Sequence, residues 1–337
     1  MPQNTRKIVL VLSGGFAKGS YQAGALTKLV QLGAEFHFMS GVSVGAINAS
    51  MLATGQLERL TDLWRHSRQE NVIQQRGWLA IGLQWVGYKI GILNPPLAFY
   101  DTQKLQRLIH DELIGKKVNI PFSVGKVDLG SGRYRDKRFE AGHQLGEEDC
   151  RVIYASTAIP VLFDPVRTEN ELWVDGGVRN ITPLGKAIRQ DPDLVVMITT
   201  EPFVGTEDEG EGYKDVDPDS IRSIDQAGIR SLDILLNEIF REDIKRFLSV
   251  NHIVRQHRRS LQDRGVEDPL TLTDLKGRPL KYFEPVLIDP KEALGDGMDF
   301  SEESFEYRFK AGARDAERAW ENRSRPGEWI AGESPST

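Results

Sequence analysis

Residues 7–19 read KIVLVLSGGFAKG, and how this run is taken decides the fold. Five apolar residues, three of them β-branched, stop at two glycines; this is the pattern of a buried strand feeding a turn. From Ser20 to about Leu32 the spacing turns helical, with Tyr21, Ala25, Leu26, Leu29 and Val30 on one face. A second strand is expected at 35–40 (EFHFMS). It runs into GVSVG at 41–45, and a helix of small residues follows from Val44 to Leu52, stopped by Gly55. The opening 55 residues thus read β–turn–α–β–turn–α, which predicts an α/β protein with a mostly parallel central sheet.

Further along, 57–115 is expected to be mostly helical. Strand-like pieces follow at 122–142, a helix at 150–158, and strands at 171–177 and 193–200. Residues 201–219 hold eight acidic residues among glycines and prolines and have little to bury, so a mobile loop is expected there. A long amphipathic helix is predicted over 221–262, a late strand in KYFEPVLIDP (281–290), and a last helix over 301–322. The organisation is therefore read as a core, 1–200, with a helical insertion at 57–115. An acidic loop follows at 201–219, then helices and a late strand packed on the core, 220–322, and a disordered tail, 323–337.

The 337 residues carry a formal charge of -6, with 39 % hydrophobic and 27 % charged residues. That balance suits a soluble globular domain and argues against nucleic acid as partner, which would need a basic surface. One cysteine, Cys150, cannot form an internal disulfide, so a reducing, cytoplasmic setting is expected. Peripheral contact at the inner membrane surface is an option within that expectation. Residues 78–100 hold Trp78, Leu79, Leu83, Trp85, Tyr88 and Ile92 with interspersed glycines. They suit either a pliant lid at a water–lipid boundary or a core helix pair, and the core reading is the default. A second candidate for anionic lipid is the charged end of the 221–262 helix, with Arg255, His257, Arg258 and Arg259; a solvated end is the plainer reading.

Three ligand readings of the loop at 14–19 are weighed against its residues. A P-loop needs Lys and then Ser or Thr after its last glycine, but here Lys18 precedes Gly19. A dinucleotide fingerprint wants glycine at 16, where Phe16 stands, although Glu35 lies near the distance of a ribose contact. The third reading is an oxyanion hole made by backbone N–H groups before a helix. GVSVG at 41–45 fits a serine, Ser43, on a strand-to-helix turn with Gly41 and Gly45 relieving crowding; a plain turn is the alternative. If the first two strands are neighbours, the two loops lie side by side. A base is needed. Of six histidines none sits in a turn that marks it, though a late one such as His252 would serve a Ser–His–Asp esterase. Asp175, in WVDGGVRN, ends an apolar strand at a Gly176-Gly177 turn, and partial desolvation would make it a competent base.

Four ordered segments resemble the patatin family of acyl hydrolases, in its bacterial patatin-like phospholipase form: LSGGFAKGSYQAGAL (12–26), GVSVGAINA (41–49), ASTAIPVLFDPV (155–166) and WVDGGVRNITPL (173–184). The resemblance spans 8–190 and implies a three-layer α/β/α fold. It implies a Ser43–Asp175 dyad without histidine, an oxyanion hole at Gly14, Gly15 and Phe16, and Lys18 at the family's basic position. The implied reaction is phospholipase A- or lysophospholipase-like hydrolysis of a lipid or phospholipid ester through an acyl-serine, with no metal or cofactor. Phe16 departs from the family, which has a third glycine there; a positive φ at phenylalanine is strained. A spoiled hole would leave a lipid- or nucleotide-binding module of the same fold.

Overall fold

A computed structural model describes residues 6–93, 97–203, 218, 221–222, 224–263 and 272–324. The opening forms as the pattern requires. β1 (Ile8–Leu12) passes through a 310 turn (Phe16–Lys18) into α1 (Gly19–Gln31), and β2 (Phe38–Gly41) leads into α2 (Val44–Ala53). Then come α3 (Leu57–His66), α4 (Gln69–Val72), β3 (Gln74–Gln75), α5 (Trp78–Lys89), β4 (Ala98–Asp101) and α6 (Gln103–Leu113). β5 (Phe122–Asp128), β6 (Arg133–Phe139), α7 (Glu147–Ala155), β7 (Val161–Phe163), β8 (Val166–Arg167) and β9 (Leu172–Asp175) follow. The chain continues with α8 (Leu184–Ile188), β10 (Leu194–Ile198), α9 (Ile224–Asp263), β11 (Glu284–Ile288) and α10 (Glu302–Glu321).

The main sheet has eight strands. Its path runs β11-β10-β1-β2-β5-β9-β8, with β6 on the outer edge of β5. β11, β10, β1, β2 and β5 are parallel; β6, β8 and β9 enter antiparallel. β1 is buried on both faces, as its unbroken apolar run requires. Leu10 and Leu12 face one core with Tyr21, Leu26, Val152 and Trp320. Val9 and Val11 face a second core with Leu184, Phe240 and Ile244. Helices α1, α2, α7 and α10 therefore cover one side of the sheet and α8 and α9 the other, giving three layers.

Three expectations are refined or changed. Residues 57–115 are mostly helical, as expected, but β3 and β4 interrupt the helices and join β7 in a second, three-stranded sheet. Tyr100 of β4 pairs with Phe163 of β7, a partner far along the chain that no local pattern reveals. Second, the helix expected from Cys150 starts at Glu147, where the Asp149 Oδ2 accepts the Gly146 N–H at 2.9 Å and three acidic residues favour the helix start. Third, the core reading of 78–100 fails over α5 and the turn after it, where Leu79 is 78 % and Ile92 73 % exposed, and holds at Ala98 and Tyr100 of β4, which are buried. Among the described residues no helix is long and apolar enough to cross a membrane. The loop expected at 201–219 lies outside the described residues except for 201–203 and 218, as does the tail beyond 324.

Candidate active site

The site is built where two strands run at each other. β2 pairs with the first half of β5, Gly41 opposite Val124, and β9 pairs with the second half, Asp175 opposite Lys126. β2 is parallel to β5 and β9 antiparallel, so their C-terminal ends meet with only Gly125 between their registers. Ser43 follows one end and Asp175 is the other.

Ser43 sits at φ 55, ψ -132, immediately before α2. A non-glycine residue there is strained, the mark of a serine pushed out on a sharp elbow. The elbow is tight because β2, α2 and β1 crowd together. A Cβ on Gly41 would lie 2.3 Å from Gly45 O, and one on Gly45 2.5 Å from Leu12 O. The Ser156 hydroxyl donates to Gly125 O at 2.6 Å and accepts the Ser43 N–H at 3.0 Å. It thus ties the elbow across the gap between the two strands.

Asp175 is buried. Its Oδ1 accepts the Gly177 N–H at 2.7 Å, while Oδ2 has no hydrogen-bond partner among the described residues. Burial pushes the carboxyl up to about 7, against the pull of the bonded Gly177 N–H and of the nearby Ser43 hydroxyl, which makes no formed hydrogen bond to it. Gly176 must pass close to β5 and the elbow, since a Cβ on it would lie 2.6 Å from Gly125 O and 2.7 Å from Val42 Cγ2.

The glycine loop closes over the same point. Gly14 lies against Ser43, so that a Cβ on it would fall 3.1 Å from the serine Cβ. Its N–H is engaged with Ile181 O at 3.3 Å, and its carbonyl accepts the Thr200 hydroxyl at 2.6 Å. Gly15 has φ 154 and no room for a side chain, because Thr200 Oγ1 would be 2.0 Å from its Cβ. Phe16 adopts φ 53, the left-handed backbone expected to cost about 1–2 kcal/mol. Its ring meets Phe163 edge-on at 6.4 Å and packs on Gly297, and these contacts offset that cost. Lys18 N closes the turn on Gly15 O, and Ala17 N is given to Gly297 O. The Gly15 and Phe16 amides therefore precede the turn's first bond, where helix-start N–H groups lack internal acceptors.

A model of the patatin-like phospholipases matches residues 10–188. The chain belongs to that family. Lipid esters are the family's substrate class, and acyl hydrolysis its chemistry. Among curated relatives, YqhO of Bacillus subtilis is 26% identical over 57% of this chain and 70% of its own length. Mb1092c, a protein of the NTE family from Mycobacterium bovis, is 22% identical over 57% of this chain, and the match spans 49% of that relative. The neuropathy target esterase sws of Drosophila willistoni is 24% identical over 52% of this chain, with 11% of its length covered. VipD of Legionella pneumophila aligns over 94% of this chain and 67% of its own at a TM-score of 0.44 and 15% identity.

In this patatin-like chain Gly14, Gly15, Phe16, Lys18, Ser43, Asp175 and Gly177 line one cavity of about 750 Å³. Lys18 is buried and ion-paired with Glu201. Gly19 lies beneath it, packed against Val44 and Trp64. No histidine among the described residues lines the cavity; His252 instead meets Gln256 on α9. Glu35 is exposed at the far end of β2 from the glycine loop, which removes its ribose contact.

Tyr100, Ile159 and Ile181 add to the wall from within the family match, and most of the rest comes from beyond it: α9, with Ile229, Leu236 and Phe240, and the loop 291–298. Sequence reasoning gave these parts no place in the site and weighed α9 only for its charged end. It also missed Ser156, present there only as one letter of a motif, and the Asn48 amide, which donates to Gly19 O at 3.0 Å and Gln22 Oε1 at 2.9 Å. Trp64 Nε1 donates to Asn48 Oδ1 at 3.0 Å, and Gln22 Nε2 to Ser13 O at 2.8 Å. These buried bonds join the start of α1 to α2 and the end of β1. Paired polar side chains in three separate helices leave no signature in one sequence.

Proposed function

We propose that this chain is a serine acyl hydrolase of the phospholipase A or lysophospholipase kind, with Ser43 as nucleophile and Asp175 as its base. The observation that carries it is the strained Ser43 elbow beside a buried carboxyl whose Oδ2 has no partner among the described residues, both in one cavity wall. A carboxyl poised near neutrality accepts a proton where an ordinary one would not.

Ser43 Oγ bonds to the ester carbonyl carbon as its proton passes to Asp175 Oδ2. The amides of Gly15 and Phe16 receive the oxyanion, assisted by the positive end of α2. Gly14, with its N–H committed elsewhere, serves as a spacer against Ser43. Collapse breaks the ester C–O bond, and the leaving alcohol takes the proton from Asp175. Water then passes a proton to Asp175 as its oxygen bonds to the acyl carbon; collapse breaks the Ser43 Oγ–acyl bond, Oγ takes the proton back from Asp175, and the fatty acid leaves. The scheme closes without an added metal or cofactor.

The same reading gives α5 a purpose. It stands between β3 and β4 of the small sheet, whose Tyr100 lines the cavity. Exposed Leu79, Leu83, Trp85, Val86 and Tyr88 suit insertion at a lipid surface beside the mouth. The test is a panel of fluorogenic esters and phospholipids with wild type, Ser43→Ala and Asp175→Asn. Turnover by wild type alone supports the reading; equal turnover by Ser43→Ala overturns it.

A further inference from the structure

Arg308 is the bulkiest of the fully buried side chains, at 1 % exposure. It lies on α10, outside the family match and outside the cavity lining. Its guanidinium bonds backbone rather than carboxylates among the described residues. Nε donates to Leu294 O at 2.8 Å, Nη1 to Asp299 O at 2.7 Å and Nη2 to Asp296 O at 2.6 Å. A planar fork of donors on three backbone carbonyls fixes the path of a loop more tightly than any single bond. The loop so held carries Gly297, whose carbonyl accepts the Ala17 N–H at 2.9 Å. Gly297 also lies beneath Phe16, and Met298 packs in the same apolar cluster.

The other end of the clamp is rigid. α10 packs on α1 so closely that a Cβ on Gly24 would lie 2.0 Å from Phe309 O, and one on Gly312 2.0 Å from Tyr21 O. The Tyr21 hydroxyl adds a bond of 2.9 Å to Asp315 Oδ2. α1 begins directly after the glycine loop, so Arg308 hangs from the same helix pair that anchors the loop's far side.

We infer that Arg308 is a positioning residue for acyl transfer: through the 294–299 loop and Gly297 O it holds Phe16 in the left-handed backbone that aims the Gly15 and Phe16 amides. The inference rests on the oxyanion role given to those amides. It makes the C-terminal region part of the catalytic apparatus although Arg308 touches no substrate.

The test uses the full chain with Arg308→Lys, which keeps the charge but loses the fork. Asp296→Ala serves as a milder variant; it is exposed and removes the Oδ1 that accepts the Met298 N–H at 2.9 Å. Two readouts are needed. Hydrogen exchange reports the link itself: the peptide covering 13–22 is expected to exchange at least tenfold faster in Arg308→Lys, with β1 and β10 unchanged. Kinetics reports its purpose: kcat falls about 10- to 100-fold with KM within about threefold. Affinity for an alkyl trifluoromethyl ketone, which forms a tetrahedral oxyanion, falls by the same factor as kcat. Asp296 lies in the cavity wall, so Asp296→Ala is read by exchange alone: exchange at 13–22 is expected to rise several-fold, and this decides the matter if Arg308→Lys fails to fold. Unchanged exchange at 13–22 overturns the inference. So does a kcat loss that matches only the loss of fluorophosphonate-titratable sites, since that is the mark of partial unfolding. An inactive wild type defeats the proposed function instead, while the exchange experiment still judges the link.

Discussion

The Ser156 hydroxyl lies 3.0 Å from the Ser43 amide and, through its own proton, is fastened to β5 at Gly125 O. A backbone group in the strained elbow is thereby held by a side chain from the end of α7, more than a hundred residues away. The arrangement explains how a serine at φ 55 keeps one conformation: the fold over-determines it.

Ser156→Ala removes both bonds and leaves two buried backbone groups without partners. The expected stability loss is about 1–3 kcal/mol. kcat should fall about tenfold as the elbow relaxes, with KM nearly unchanged. Chemical denaturation and steady-state kinetics on a soluble ester check both. An unchanged kcat would mean that the elbow holds itself.

Asp175 couples activity to pH and to stability. If its carboxylate is the base, kcat/KM should rise with pH below about 7 and level off above it. The stability effect has the opposite sign. Between the ordinary carboxyl range and about 7 the unfolded chain has released a proton that the folded chain retains. Rising pH therefore destabilises the fold across that window, and the cost stays constant above it. Asp175→Asn should abolish turnover yet raise the melting temperature at pH 8 relative to wild type, narrowing the difference toward pH 4. Scanning calorimetry at the two pH values tests this; a less stable Asn variant at pH 8 would contradict it.

The Lys18–Glu201 pair is buried on the lysine side and partly open on the other. Removing one partner strands a charge, so Glu201→Gln should cost about 1–3 kcal/mol, below the roughly 3–5 kcal/mol of a fully buried pair because Glu201 keeps some solvent. Adding Lys18→Met should recover at least half of that loss. A double-mutant cycle by urea denaturation measures the coupling; additive losses would show that the pair holds nothing.

α5 offers a separable experiment. Replacing Leu79, Leu83 and Val86 together by Gln should weaken flotation with phospholipid vesicles by at least tenfold, given about 25 cal/mol per Å² of apolar area lost from the contact. Hydrolysis of a water-soluble ester should stay within about twofold. Equal vesicle binding by the triple variant would remove the lipid surface as the partner of this helix.

The layers and the parallel centre of the sheet were legible because β1 and β10 are unbroken apolar runs and α1 has a clear 3.6-residue period. The turns that carry Ser43, Asp175 and the glycine loop were legible because sharp turns demand glycines in fixed places, and the fold brings all three to one cavity. What escaped was long-range. Tyr100 finds its strand partner at Phe163, Ser156 meets Ser43 across the sheet, and the cavity's outer wall is α9. α5 was misjudged because an apolar run looks the same whether it is destined for a core or for a lipid surface. Phe16 was read correctly as a strained position, but Gly297, which accepts the N–H of the next residue, lies some 280 residues on and has no sequence signal.

The central claim is that Ser43 is the nucleophile and attacks with its hydroxyl in this cavity. Incubation with an alkyl fluorophosphonate followed by intact-mass and peptide mass spectrometry tests it most directly. The account predicts one adduct per chain, on Ser43, absent from Ser43→Ala and slowed at least a hundredfold in Asp175→Asn. An adduct on another residue, or labelling of Ser43→Ala at the wild-type rate, would contradict it.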